Sequence, residues 1–286
     1  MIIDFHTHIF PPWLRDRRDE YAKSDLCFSM LYSQPKARMA TAEELITAMD
    51  ETGVDRSVIL NLGWVSHELC VKTNDYILES VSRYPRRLIG FCAIQPGAGG
   101  AAIAEIDRCA EAGARGIGEL RSDVQGFDMT DGETMSLVAE AALKHDLILL
   151  THSSEPVGHE YSGKGSITPD ILYAFVTAFP NLKIVCAHWG GGLPFYALMP
   201  EVANALGNVF FDSAATVFLY KPDIFERASA IVGSNRILFG TDYPLVGQRR
   251  VIEQIRSSLL SEEDKFRILG SNAQRLLVGT RGRDVT

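Results

Sequence analysis

Nowhere does this 286-residue sequence reach the roughly 18 consecutive uncharged apolar residues of a membrane-spanning helix. Its start also carries no basic segment leading into an apolar run, so the expectation is a cytoplasmic protein. Basic residues are in deficit: 28 Lys and Arg against 36 Asp and Glu leave a formal charge of -8. That balance gives attraction to a phosphate backbone or an anionic membrane no support. A small-molecule partner is favoured, and neither nucleic acid nor membrane is expected. The five cysteines, Cys27, Cys70, Cys92, Cys109 and Cys186, are odd in number, scattered and without a CxxC pair. This argues against a disulfide framework and suits free thiols in a reducing compartment. A glycine-rich phosphate turn is missing too, because the first apolar run leads into DFHTHIFPP at residues 4–12, unlike the first turn of an open dinucleotide-binding sheet.

What the sequence does have is repetition. Eight short runs rich in Ile, Val, Leu and Phe recur: MIIDFHTH, RSVILNL, LIGFCAIQ, ARGIGELR, LILLTHS, KIVCAHW, NVFFDSA and RILFGTD. Each is followed by a polar stretch with helical spacing, and near-continuous apolar character suits parallel strands covered on both faces. Thr41 with Glu44 predicts a capping box, and Thr168 before Pro169 predicts an N-cap with proline in the first turn. Gly53 and Gly113 fall just past helical stretches, where a left-handed C-cap is usual. Eight such units predict an α/β fold, a single (β/α)8 barrel, which commonly takes about 250 residues plus insertions. Ser261 and Asp264 open an additional C-terminal helix through SNAQRLLV. The domain reading is one barrel over residues 1–280 and a frayed tail, RGRDVT, over 281–286. Long connections at 9–40 and 153–167 leave the ends of the first and fifth strands, the face where barrel enzymes place their chemistry, and are expected to shape a substrate pocket.

The chemistry-bearing residues collect at those strand ends. His6 and His8 alternate on one strand, about 6.6 Å apart along it, so both can converge on one metal ion, and Asp4 follows the same alternation. Of seven histidines, four fall at the ends of predicted strands: His6, His8, His152 and His188. Glu119 in GIGELR and Asp242 in FGTDYP occupy equivalent positions. Imidazole nitrogens with carboxylate oxygens suit zinc or a similar divalent ion such as manganese, held at about 2.0–2.2 Å, and six donors are enough for one or two ions.

This ordered set, together with DFHTH, AHWGG, FGTDYP and GSNAQRLL, resembles the amidohydrolase superfamily over nearly the full chain. The sub-branch it is similar to is the amidohydrolase-related group, which includes both hydrolases and aminocarboxymuconate-semialdehyde decarboxylase. The resemblance implies that His6, His8 and Asp242 bind one metal, His152 and His188 a second, and Glu119 bridges them. Many superfamily members place a carboxylated lysine on strand four, and some binuclear relatives place glutamate there. The related decarboxylases keep one metal and lack a strand-four ligand. Glu119 therefore turns the expectation toward a metal-dependent hydrolase, in which metal-activated water attacks a small amide, ester or lactone bearing a carboxylate. Asp242 would take the proton and pass it to the leaving group, with His188 as the second catalytic residue. The alternative is a non-oxidative decarboxylase with one metal on His6, His8, His152 and Asp242, and His188 as acid or base. A phosphoesterase or nuclease is disfavoured by the acidic charge, and a non-catalytic metal-binding protein would need a closed ligand shell. Homo-oligomers are common among such barrels.

Further candidates carry two readings each. Arg121 would share the face of Glu119 and either clamp a substrate carboxylate or form a structural ion pair. His159, Tyr161 and Lys164 lie in the loop after the fifth strand as substrate contacts, and Glu155 there either supports a ligand histidine or caps a turn. Trp64 and His67 follow the second strand, with Trp64 facing the pocket and His67 at the surface. The RDRRDE run beside Trp13 reads as a solvated face, His145 as a helix-end cation, and Cys186 as core on the face of His188. Alternation leaves open whether Asp212 or Ser213 faces the site.

Overall fold

The computed structural model describes residues 1–279; the tail expected at 281–286 lies outside the described residues. Eight strands form one parallel sheet in chain order: β1 (Ile3–His8), β2 (Arg56–Leu60), β3 (Leu88–Cys92), β4 (Gly116–Leu120), β5 (Ile148–Thr151), β6 (Lys183–Cys186), β7 (Val209–Asp212) and β8 (Ile237–Leu238). The seam is closed by backbone bonds, Phe5 N to Phe239 O (2.8 Å), Asp242 N to His6 O (2.8 Å) and His8 N to Tyr243 O (2.7 Å). This is the (β/α)8 barrel that the alternation predicts.

Parallel ladders leave both faces of the sheet to be covered, and two apolar layers do so. Inside, Phe5, Leu60, Phe91, Leu150 and Val185 fill the barrel, and Ala273 and Leu276 of the C-terminal helix plug it from below. Outside, residues such as Ile117, Leu149, Ile184 and Phe211 pack under the surrounding helices. Thr41 and Glu44 make the expected capping box and Gly53 ends that helix at φ 73°, whereas the Thr168 hydroxyl turns to the Asp170 carboxylate and caps no backbone N–H. The C-terminal helix runs through one wide π turn at Arg267–Ser271. All five cysteines are buried free thiols, and no described helix is long and apolar enough to cross a membrane.

Three departures from simple alternation aim the site. The β1–β2 register shifts between Asp4 and Thr7, and the β4–β5 register between Ile117 and Leu120. Such irregularities re-aim the side chains that follow. Asp4 consequently leaves the face of His6 and His8: its carboxylate accepts from Thr241 N (3.1 Å), Thr241 Oγ1 (2.7 Å) and Gln248 Nε2 (3.0 Å), tying β1 to the β8 side. Alanine at Asp4 orphans these buried donors and should lower unfolding free energy by about 2–4 kcal/mol, read as a lower urea midpoint. The third departure is β8, which stops after two residues so that Phe239–Asp242 can turn inward, Asp242 at φ 64°.

The connection at 9–40 is folded, with helices Pro12–Asp16, Arg18–Ser24 and Leu26–Tyr32. Phe10, Leu14, Phe28 and Tyr32 form a satellite cluster with Trp64. Asp25 caps the third helix at Phe28 N and accepts from Val65 N (2.9 Å each), fastening this connection to the one after β2.

Candidate metal centre

At the C-terminal mouth of the barrel the structure brings together His6, His8, Glu119, His152, His188 and Asp242. His6 and His8 Nε2 are 3.1 Å apart, and His8 Nε2 lies 3.3 Å from Asp242 Oδ1. Two donors on one ion at about 2.0–2.1 Å in tetrahedral array are about 3.3 Å apart, so these are spacings of ligands sharing an ion. Glu119 stands between two groups. Its Oε2 faces His6 Nε2 (3.9 Å) and His8 Nε2 (3.7 Å), and its Oε1 faces His152 Nδ1 (2.8 Å) and His188 Nε2 (3.5 Å). Both trios, His6–His8–Glu119 and Glu119–His152–His188, converge closely enough to hold an ion.

Neighbours set which nitrogen of each ring is free. Asp212 Oδ2 accepts from His6 Nδ1 (2.8 Å) and the Ala214 carbonyl from His188 Nδ1 (3.1 Å). An acceptor at Nδ1 places the proton there and leaves the Nε2 lone pair for a metal. His152 Nε2 meets Ser154 Oγ (3.1 Å), which itself accepts from Gly165 N, and His152 Nδ1 stands 2.8 Å from Glu119 Oε1. His188 reaches the mouth because residues 188–192 all take left-handed φ, between 53° and 98°. Gly191 is required in this turn, since a Cβ there would strike the Ser154 carbonyl. The same turn puts Cys186 in the outer layer, off the face of His188.

Electrostatics ask for a cation. Burial opposes ionisation of Glu119, yet the imidazoles facing it, His152 first and then His188, hold it well below the usual carboxylate range. Asp242 is likewise lowered against burial, chiefly by His8. Burial disfavours charge on His6, but Asp212 outweighs it and pushes the imidazole up to about 10. Burial and the nearby Arg121 charge push His152 down to about 4, keeping it a neutral donor. One buried and one partly buried carboxylate, both held ionised and facing imidazole nitrogens, fit a divalent ion.

The cavity above this cluster holds about 370 Å³ and is lined by Tyr32, Lys36, Arg38 and Arg121 as well as site residues. Arg121 is buried and paired with Asp123 (Nη2 to Oδ2, 2.8 Å), while Nη1 has no partner. The chain is built around it: a Cβ at Gly63 would sit 2.6 Å from Arg121 Cβ, and one at Gly165 2.6 Å from Nη2. An apolar arm adjoins, lined by His159, Tyr161, Phe218 and Leu245 among others. Tyr161 is braced by Glu155 (3.0 Å). Lys164 is not among the residues lining either arm and turns to Glu160 and the His159 carbonyl. Trp64, expected at the pocket, is wholly buried instead, stacked on Phe28 at 5.7 Å, because the folded first connection covers it. His67 starts the helix after β2, and His145 pairs with Asp107 (2.6 Å). Asp212 takes the inward position that alternation left open. Ser154, Asp123, Tyr32, Lys36 and Arg38 had no signal in the sequence beyond lying near a strand end or in a long connection.

Comparison with known proteins decides the family. The profile of an amidohydrolase family matches residues 3–278. The chain belongs to this family. It is 23% identical to 2-amino-3-carboxymuconate-6-semialdehyde decarboxylase of Dictyostelium discoideum over 96% of this chain and 91% of that one. It is 22% identical to gamma-resorcylate decarboxylase of a Polaromonas species over 81% and 85%. Among solved structures, 5-carboxyvanillate decarboxylase of Sphingomonas paucimobilis superposes with a TM-score of 0.78 at 20% identity, covering 98% and 99%. The Novosphingobium aromaticivorans 5-carboxyvanillate decarboxylase, solved with bound manganese, gives 0.81 at 19% over 97% of each chain. Membership of the amidohydrolase family is thus shown, and the clustered imidazoles and carboxylates could hold a divalent ion. The relatives are carboxy-lyases, which favours the alternative reading of the sequence over hydrolysis and leaves zinc without support.

Proposed function

We propose that this amidohydrolase-family member is a non-oxidative decarboxylase of an aromatic or similarly unsaturated acid, with manganese as the fitting ion. The observation that supports this reading most is that His6, His8 and Asp242 gather at one cavity with His152 and His188 across Glu119, in a chain whose curated relatives are decarboxylases. A bound divalent ion would hold the substrate's oxygens and draw off the charge that develops there.

The remaining work falls to side chains. Loss of carbon dioxide breaks a C–C bond and leaves its electron pair on carbon, so a proton must be delivered to that carbon. His188 Nε2 faces the cavity, and although burial lowers its pKa, the Glu119 hydrogen bond and the Asp242 charge hold it above its ordinary 6.5. It can therefore carry that proton near neutral pH. Asp242, held ionised, fits a ligand and a proton relay. Arg121 Nη1, buried and unpartnered, supplies a donor to a substrate oxygen, and the apolar arm keeps the carboxylate dry, which favours dispersal of its charge. His159 and Tyr161 form the wall of that arm. Because the proton donor must be protonated, kcat should fall as pH rises through the raised His188 pKa, and His188→Asn should abolish that alkaline limb.

The direct test incubates manganese-loaded protein with hydroxybenzoates and carboxylated phenols and measures carbon dioxide and deuterium incorporation in heavy water. One carbon dioxide and one solvent hydrogen per turnover is the expected result. Cleavage of a lactone or amide panel with no carbon dioxide from any acid would reject it. Hydrolysis keeps a place as a second reading for one reason: Glu119 offers one oxygen to each imidazole pair, the arrangement of a two-ion centre.

A further inference from the structure

Among the described residues, Glu155 neither supports a ligand histidine nor caps a turn. Its Oε2 accepts from the Tyr161 hydroxyl (3.0 Å), and its Oε1 is buried without a hydrogen-bond partner. The Tyr220 hydroxyl is in the same condition, buried and unpartnered. These two unsatisfied groups are neighbours: after burial, the Glu155 charge is what pushes the Tyr220 phenol upward most, and Tyr161 adds to it. Leaving a buried acceptor and a buried donor unpaired is unfavourable, and a bond between them would relieve both.

The cluster lies behind the apolar arm and belongs to both of its walls. Tyr161 is part of one wall, carried by the connection after β5. Tyr220 follows the helix Thr216–Leu219, whose Phe218 and Leu219 are part of the other. That second wall is fixed. The Tyr220 ring packs on the buried apolar cluster that includes Trp189 and Phe225, and Arg250 backs Phe218 with its guanidinium 5.5 Å from the ring centroid. The first wall has less to hold it, because residues 156–160, between Glu155 and Tyr161, are all exposed. Beyond them the connection is pinned again at Gly165, whose N–H donates to Ser154 Oγ (2.9 Å). Exposed backbone between two anchors shifts at little cost.

We infer that Glu155 is a positioning residue, a clasp that closes the apolar arm around its occupant: when the apolar body of an acid enters, Tyr220 donates to Glu155 Oε1, and one carboxylate then holds a phenol from each wall. No proton is transferred, and Glu155 does not touch the substrate. The closed clasp favours acids with an apolar body over short ones and shuts water out of the arm while the reacting carboxylate lies beside it. This deepens the decarboxylase reading and rests on it only for which acid fills the arm.

The test needs no turnover. Manganese-loaded protein is titrated with cyclohexanecarboxylate, which has an apolar body and is transparent where tyrosine absorbs, and with acetate, which lacks that body. Saturating cyclohexanecarboxylate should produce a red-shifted tyrosine difference band, the signature of a phenol donating to a carboxylate, and acetate should produce none. Tyr220→Phe should abolish the band and weaken cyclohexanecarboxylate about tenfold while leaving acetate within about twofold. Because its hydroxyl is unpaired in the free protein, the same variant should unfold at the native temperature or above it, which a merely structural role would not allow. Glu155→Ala should also lose the band, the double variant should match Glu155→Ala as two ends of one bond require, and Glu155→Gln, which keeps an acceptor oxygen, should recover part of the affinity. Manganese content reports an intact centre in each variant, and Tyr220→Phe decides the matter alone if Glu155→Ala does not fold. A native protein that gives no band at saturation, failure of cyclohexanecarboxylate to bind, or a Tyr220→Phe variant that weakens both acids equally or neither would overturn the inference. Should the band and the ratio behave as expected while no acid releases carbon dioxide, the clasp stands and the decarboxylase reading falls; carbon dioxide release without these effects keeps that reading and removes the clasp.

Discussion

Alanine at His6 is expected to leave the protein without stoichiometric metal and to lower kcat/KM by about 10³-fold or more, the several kcal/mol that a positioned divalent ion contributes to a transition state. His6 is the best-fixed donor of the centre: fully buried, its Nδ1 held by Asp212 at 2.8 Å and its Nε2 3.1 Å from that of His8. Its removal also strands Asp212, whose other oxygen accepts from the backbone N–H of His188 (2.9 Å) and of Ala214 (3.0 Å). One carboxylate thus orients a ligand on β1 and the turn that presents His188. Asp212→Asn, which keeps the shape and removes the charge, should weaken metal affinity by about 10–100-fold while leaving the six side chains in place. Elemental analysis and thermal unfolding check both variants. With metal at about 100 times its dissociation constant the native protein gains about 2.7 kcal/mol, a rise of roughly 4–8 °C that the His6 variant should lack. A His6 variant that binds metal and unfolds like the native protein would remove the centre from this reading.

How much of this was legible beforehand differs by element. The barrel was, because parallel strands buried on both faces must be apolar throughout, and eight such runs with helical stretches between them leave few other closures. The six convergent side chains were too, since their place at strand ends follows from chain order alone. Asp4 and Cys186 were misplaced for one physical reason: a period-2 reading assumes an unbroken ladder, and this chain breaks it by a register shift on β1 and by left-handed residues from His188 onward. The Gly-Gly-Gly run at 190–192 is the trace of the second break, and the first has no trace in the sequence. Trp64 looked like a pocket residue because it follows a strand, but Asp25 ties the first connection across it. That connection reads as a loop in the sequence since its helices are only five to seven residues long, too short to show periodicity.

Glu119→Gln is expected to have the second-largest effect, and it addresses the one feature that the decarboxylase reading does not require. The native carboxylate is ionised and buried, with one oxygen toward His6 and His8 and the other toward His152 and His188. The amide keeps one acceptor oxygen and puts an NH2 group in place of the other. A neutral amide nitrogen has no lone pair to offer an ion, so one of the two trios loses its third donor whichever way the amide turns. Manganese affinity should weaken and kcat/KM fall by about 10²-fold, whereas a fall in uptake from two equivalents to one would mark the two-ion centre of the hydrolase reading. The partition of that loss carries the mechanistic content. A lyase working through His6, His8, His152 and Asp242 needs Glu119 only to order His152, to whose Nδ1 it stands at 2.8 Å, so the loss should be recovered substantially by excess metal. A hydrolase that draws its nucleophile from between two ions would lose its reaction outright and would not be rescued. Native protein that takes up a single equivalent under all conditions would instead assign Glu119 to positioning alone, and the two-ion arrangement with it would be withdrawn.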